Sequence, residues 1–164
     1  MKVRIKKINS NARIPEQATL GDFCYDVWAV SEEEVAPNVW MYGLGFKYEI
    51  ERPTLFRPFT GFDPFAKLNV LDDYNICISM RPRSSVWKTG MSLANCEGTL
   101  DEFYRGEAKA VYYHVMPHMP RYRKGDKIGQ IYLSVAPKVT FEEVEEINEN
   151  TERSEGGFGS TGNN

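Results

Sequence analysis

The sequence predicts an all-β fold, a sandwich or a barrel, and three observations carry that expectation. Apolar and polar residues alternate with period two in one segment after another. No long stretch shows the i, i+3, i+4 spacing of an amphipathic helix. Gly and Pro, 13 and 9 among 164 residues, break the alternation into short pieces, as they do where many strands are joined by turns.

In chain order, the first strand is predicted at the start, where Val3, Ile5 and Lys7 alternate with Arg4, Lys6 and Ile8. Gly21 to Ala29 reads as a second, with Asp26 inside an otherwise apolar run. A carboxylate there needs a cation or backbone donors to offset its burial. Asp26 or Asp22 suits magnesium, which takes one or two carboxylates, several waters and phosphate oxygens. Phe46, Tyr48 and Ile50 alternate with Lys47, Glu49 and Glu51 and predict a third strand. Residues 52–74 look irregular, with Pro53, Pro58 and Pro64 excluding a regular helix and Phe56, Phe59, Phe62 and Phe65 spaced by threes. A surface excursion pinned by aromatics is expected, with a membrane or partner patch as the lesser alternative. Ile76, Ile78 and Met80 predict the next strand, and Ala110, Tyr112, His114 and Met116 another. Ile131 and Leu133 come next, then Val139, Phe141 and Val144, with the globular part expected to end near Ile147. Most aromatic residues, among them Trp28, Trp40 and Trp87, are assigned to the core.

The size fits one domain with a substantial core, and 41% hydrophobic and 26% charged residues are ordinary for a soluble globular protein. A net charge of −3 without a basic stripe speaks against nucleic acid or an anionic membrane as partner. No apolar run approaches eighteen residues, and the alternating start does not read as a signal peptide. Cys24, Cys77 and Cys96 are odd in number and widely spaced, so a reducing, cytoplasmic setting is expected.

Four segments and the Gly-rich run carry candidate chemistry. Arg81 to Gly90 comes after a strand and offers Arg83, Ser84 and Ser85 as a phosphate site, although for this piece alone a solvated loop with an N-cap serine is the stronger reading. Asn95 to Glu107 is read as a short hairpin bounded by Gly98 and Gly106. Its Asp101, poorly suited to a strand, is either a turn former or a carboxylate held to orient a water. Lys124 to Gln130 reads as a turn entering a strand, with Gln130 turned to one face to bond phosphate or main chain. Finally, 153–162 is Gly-rich with one Arg, one Phe and two hydroxyls. It has no apolar period for a core, but successive glycine N–H groups, a guanidinium and a ring form a kit for closing over a nucleoside polyphosphate. A disordered tail is the plain alternative. Other chemistries find less support. The Gly-rich run lacks the Lys-Ser/Thr of a Walker loop, Pro117 separates His114 from His118, no cysteine pair has zinc spacing, and no nucleophile elbow occurs.

In this order the segments resemble the five motifs of the homotrimeric dUTPase family, the deoxyuridine triphosphate nucleotidohydrolases. The likeness runs from about Gly21 to Gly162. Its most specific pieces are Pro82-Arg83-Ser84-Ser85, the run Gly98 to Glu107, and the run Gly156 to Gly162. The resemblance implies a jelly-roll-like β-barrel over 1–147, with an irregular insertion at about 52–74 and a flexible Gly-rich arm over 148–164. It implies a homotrimer with active sites between subunits, hydrolysing dUTP to dUMP and pyrophosphate with Mg2+. By the same resemblance Asp26 holds the metal through water, and Asp101 orients the attacking water at the α-phosphorus. Arg83, Ser84, Ser85 and Gln130 contact phosphate; Asn95, Gly98, Leu100 and Tyr104 form the uracil and deoxyribose pocket. Arg153 reaches the γ-phosphate, Phe158 stacks on uracil, and Gly159, Ser160 and Thr161 add phosphate contacts. Departures are Cys24 and Ser154 where the family has Gly, Lys127 where it has Arg, and a longer stretch between Asp26 and Arg83. Two rival functions share the scaffold: a dCTP deaminase, or bifunctional deaminase, and a non-enzymatic regulatory relative.

Overall fold

A computed structural model describes residues 1–56, 67–69, 71–95 and 97–151. Twelve strands are present among them: β1 (Lys2–Lys7), β2 (Tyr25–Trp28), β3 (Ser31–Ala36), β4 (Val39–Gly43), β5 (Phe46–Glu51), β6 (Thr54–Phe56), β7 (Lys67–Asn69), β8 (Tyr74–Arg81), β9 (Met91–Leu93), β10 (Gly98–Asp101), β11 (Lys109–His114) and β12 (Lys127–Pro137). A single 3-10 turn, Ser84–Lys88, is the one helical piece among the described residues. The strands form two four-stranded antiparallel sheets, ordered β10-β8-β12-β2 and β3-β4-β11-β9, with β1 and β5 as a separate pair. One core joins all three, so the architecture is the expected jelly-roll-like barrel.

The period-two segments supply that core. Phe46, Tyr48 and Ile50 from β5 and Ile76, Ile78 and Met80 from β8 are buried, as are Ala110 and Tyr112 from β11. Tyr42, Tyr112 and Tyr122 meet edge to face with centroids 5.4–6.4 Å apart, an arrangement worth about 0.5–1.5 kcal/mol per pair beyond area burial. Two of the three hydroxyls find main-chain partners: Tyr112 donates to the Ile128 carbonyl at 2.7 Å and Tyr42 to that of Tyr122 at 2.9 Å.

Several expectations need correcting. Strand β3 is unread by alternation because it carries three consecutive glutamates. It is a sheet edge, largely exposed on both faces, and it enters β4 through Pro37-Asn38 with Asn38 at φ 60, a conformation Asn tolerates. Val139, Phe141 and Val144 form no strand, and all three are exposed. Both neighbours of β12 in its sheet are taken, and no described strand of this chain pairs with the segment beyond Pro137. Trp28 is buried and Trp40 packs against the core, but Trp87 on the 3-10 turn is exposed beside Lys88. The excursion at 52–74 is more ordered at its root than expected, since β6 and β7 pair antiparallel. Phe59, Phe62 and Phe65 lie outside the described residues. No helix among the described residues is long and apolar enough to cross a membrane.

Candidate active site

The sheet β10-β8-β12-β2 carries half of the described candidate residues, Asp26, Gly98, Leu100, Asp101 and Gln130, and its register puts Asp26, Asp101 and Gln130 on one face. Opposed residues in an antiparallel pair share a face, and every second residue along a strand joins them. One row is Asp26, Gln130 and Arg81; the next is Tyr132, Ser79 and Thr99; the third is Ser134, Cys77 and Asp101. The opposite face holds Ile78, Met80, Ile131 and Leu133, directed to the core. Leu100 belongs to that second set. Its side chain packs on the core, which leaves only its backbone for a ligand.

One end of this face is cationic around a carboxylate. The Asp26 side chain is 12% exposed, with Lys127 Nζ at 2.6 Å from Oδ2 and Arg83 Nε at 3.8 Å from Oδ1. Gln130 donates from Nε2 to the Pro82 carbonyl at 3.1 Å, holding the bend that delivers Arg83 toward Asp26. Ser84 is exposed and Ser85 partly so, at the start of the 3-10 turn. The guanidinium, the hydroxyls and the ammonium together suit an anion of dense charge. Among the described residues no three His, Cys, Asp or Glu side chains converge to cage a metal. A lone carboxylate beside an anion site still fits magnesium, which keeps several waters and is bound largely through the substrate's own phosphates.

The other end of the face is the Asp101 turn. Strand β10 pairs with β8, and residues after Asp101 turn sharply instead of forming the second arm of a hairpin. Tyr104 N–H donates to the Asp101 carbonyl at 3.0 Å, and the Tyr48 hydroxyl donates to the same oxygen at 2.5 Å. Burial, and next the nearby Asp101 charge, push the Tyr48 phenol up to about 12, so it stays a neutral donor at ordinary pH. Tyr104 donates to the Glu107 carbonyl at 3.1 Å, and its ring end lies across Gly106. A Cβ there would meet the Tyr104 hydroxyl oxygen at 2.1 Å. Asn95 is exposed, with its side-chain amide in ordinary contact range of Gly98. A cavity of ≈ 650 Å³ opens here, lined among others by Cys77, Thr99, Asp101, Phe103 and Tyr104. Its size suits a small molecule.

These two ends do not meet within one chain. Asp26 lies on β2 and Asp101 on β10, three strand spacings apart, and their rows are four residues apart along β12. With about 4.8 Å between strands and about 3.3 Å per residue, they stand roughly 19 Å apart. Arg153, Phe158, Gly159, Ser160 and Thr161 lie outside the described residues. Sequence reading missed Tyr48 as a second holder of Asp101, because its position in the alternation marks it only as core. It also missed Arg52 and Glu102, fifty residues apart and joined by two 2.7 Å bonds, for which no local pattern gives a signal.

Comparisons with known proteins bear on the family and the fold. The dUTPase family model matches residues 66–162. A deoxyuridine 5'-triphosphate nucleotidohydrolase of Alkaliphilus metalliredigens is 31% identical over 162 residues, 98% of this chain and 96% of the relative. Among solved structures, a mutant dUTPase of Staphylococcus bacteriophage 80alpha with dUpNHpp superposes with a TM-score of 0.71 at 19% identity, covering 98% of both chains. A mutant dUTPase of phage phi11 of S. aureus, described with a structural Mg(II) ion, matches with a TM-score of 0.62 at 16% identity over 89% of this chain and 98% of the phage protein.

Proposed function

The chain belongs to the dUTPase family and hydrolyses dUTP to dUMP and pyrophosphate, and from that premise we propose how its residues divide the work. Asp101 is the carboxylate that orients a water toward the α-phosphorus and accepts its proton. The water oxygen bonds to phosphorus as the bond to the bridging α,β-oxygen breaks, so pyrophosphate departs and dUMP retains the new oxygen. Asp101 suits that task because both of its carbonyl's partners, Tyr48 and Tyr104, fix the backbone from which its carboxylate projects. Tyr104 and the backbone from Gly98 to Leu100 receive deoxyribose and uracil, with Asn95 at the rim. Arg83, Ser84, Ser85 and Gln130 hold phosphate or the loop that presents it. Asp26 would hold Mg2+ through water, and the ion would supply positive charge to the phosphate oxygens. The arm residues Arg153, Phe158, Gly159, Ser160 and Thr161 close over the nucleotide and exclude bulk water.

The observation that carries the inter-subunit reading is the separation of roughly 19 Å between Asp101 and Asp26. One triphosphate is held by both ends only if Asp101 of one copy faces Arg83 and Asp26 of another. A homotrimer of this kind makes three equivalent sites, each built between subunits.

The test is pyrophosphate release from dUTP, dCTP, dTTP and UTP, with mass measured by light scattering on the same sample. Strong preference for dUTP by a trimer is expected. Ammonia release from dCTP would favour the deaminase rival, and a fully active monomer would defeat the shared site. For Asp101→Asn, loss of general-base action removes roughly a hundred- to ten-thousand-fold of turnover while dUTP still binds.

A further inference from the structure

Strand β10 is a sheet edge, bonded to β8 on one side only, and Asp101 is its last residue. An edge strand's end frays unless something else holds it. Arg105 within the turn donates to the Glu102 carbonyl at 2.8 Å, and two side chains from elsewhere in the chain, from β5 and the residue after it, supply the rest of that hold. Tyr48 takes the Asp101 carbonyl. Arg52 takes Glu102, the next residue: Nε donates to Oε1 and Nη2 to Oε2, each at 2.7 Å. The pair is largely shielded, with side-chain exposures of 19% and 10%. The bonded guanidinium also holds the Glu102 carboxyl below its ordinary value. Arg52 does more than pair. Nη2 reaches the Tyr74 carbonyl at 3.1 Å and Nη1 reaches the Leu71 carbonyl, so one guanidinium at the start of the long connection between β5 and β8 gathers its far end as well.

We infer that Arg52 and Glu102 are positioning residues for dUTP hydrolysis: they brace the turn that aims the Asp101 carboxylate and tie that turn to the root of the 52–74 insertion. The inference rests on the reading of Asp101 as the water-orienting group. A planar fork is required, since it serves two carboxylate oxygens and two carbonyls at once. Lys, a point charge on a flexible stem, cannot reproduce it. Loss of either partner leaves a shielded charge alone and lets the turn relax, and small misplacements of a catalytic group are costly in rate.

The experiment is steady-state dUTP hydrolysis by the full chain, run well below each variant's melting temperature, for Arg52→Lys, Arg52→Met, Glu102→Gln and the double variant Arg52→Met/Glu102→Gln. For the Met and Gln variants kcat should fall roughly ten- to a hundredfold with KM within about twofold of the parent, and for Arg52→Lys by a smaller factor. The double variant should be no slower than the worse single one, because both remove the same brace. Should Arg52→Met fail to fold, Arg52→Lys and Glu102→Gln carry the measurement. Parental kcat in folded variants, or losses that multiply in the double variant, would overturn the inference. Asp101→Asn distinguishes the two levels. If it turns over dUTP at the parent rate, the reading of Asp101 fails. If it is dead while the Arg52 and Glu102 variants run at the parental kcat, only the brace fails.

Discussion

Replacing Lys127 with Met removes the closest partner of Asp26 while keeping a long apolar stem against Trp28, whose ring lies 5.3 Å from Nζ. Among the described residues the carboxylate then keeps only Arg83, at 3.8 Å. A hydrogen bond between charged groups contributes about 1.5–3 kcal/mol net, and the upper end suits a carboxylate that is 12% exposed. For a domain of this size each kcal/mol moves the melting temperature by about 2–4 °C. Lys127→Met should therefore melt about 3–12 °C lower. Asp26 also loses the contact that fixes its direction, so the half-saturating Mg2+ concentration for dUTP hydrolysis should rise. Lys127→Arg is the matched control. A guanidinium at the same place can fork onto both carboxylate oxygens, and the melt should return to within about one kcal/mol's worth of shift. The assays are calorimetry at fixed protein concentration and a magnesium titration of initial rates. A Lys127→Met protein that melts with the parent and shows an unchanged titration would mean that the 2.6 Å contact holds nothing.

Further expectations concern other parts of the site and core. Gly106→Ala places a methyl 2.1 Å from the Tyr104 hydroxyl oxygen, so the ring must swing off the Glu107 carbonyl. Because Tyr104 is exposed, KM for dUTP should rise several-fold with little change in melting, and a parental KM would count against Tyr104 as part of the sugar pocket. Burial raises the phenols of Tyr42, Tyr112 and Tyr122 as well as Tyr48. Each favours its neutral form in the fold, so the stability it brings is intact below the free-phenol value of about 10 and drains as pH climbs toward the Tyr48 value of about 12. Circular-dichroism melts across the alkaline range should show that decline only above about pH 10, with a shallower slope for Tyr48→Phe. Deleting 153–164 should leave the melt near that of the parent and remove most turnover; a strongly lowered melt would make the arm structural, and full activity would make it idle.

Much of the fold and part of the site are legible in the residues alone. Alternation along Phe46–Ile50, Ile76–Met80 and Ala110–Tyr112 marks strands and their buried faces, because side-chain direction in a strand repeats every two residues and is a local property. The same alternation turns Gln130 to one face of its strand, but that Arg81 shares this face follows from the register of β12 against β8. The motif segments are likewise local, so Asp26, Arg83 and Asp101 stand out as candidates without coordinates. Local pattern does not contain strand order, which depends on how distant segments close into sheets. Only the order β10-β8-β12-β2 sets Asp101 apart from Asp26. Only packing brings Arg52 to Glu102 and Tyr48 to Asp101, since contacts across fifty residues leave no periodic trace in the chain. Alternation over Val139–Val144 misleads for a related reason: a strand needs a neighbour to satisfy its backbone, and no described strand of this chain offers that segment one.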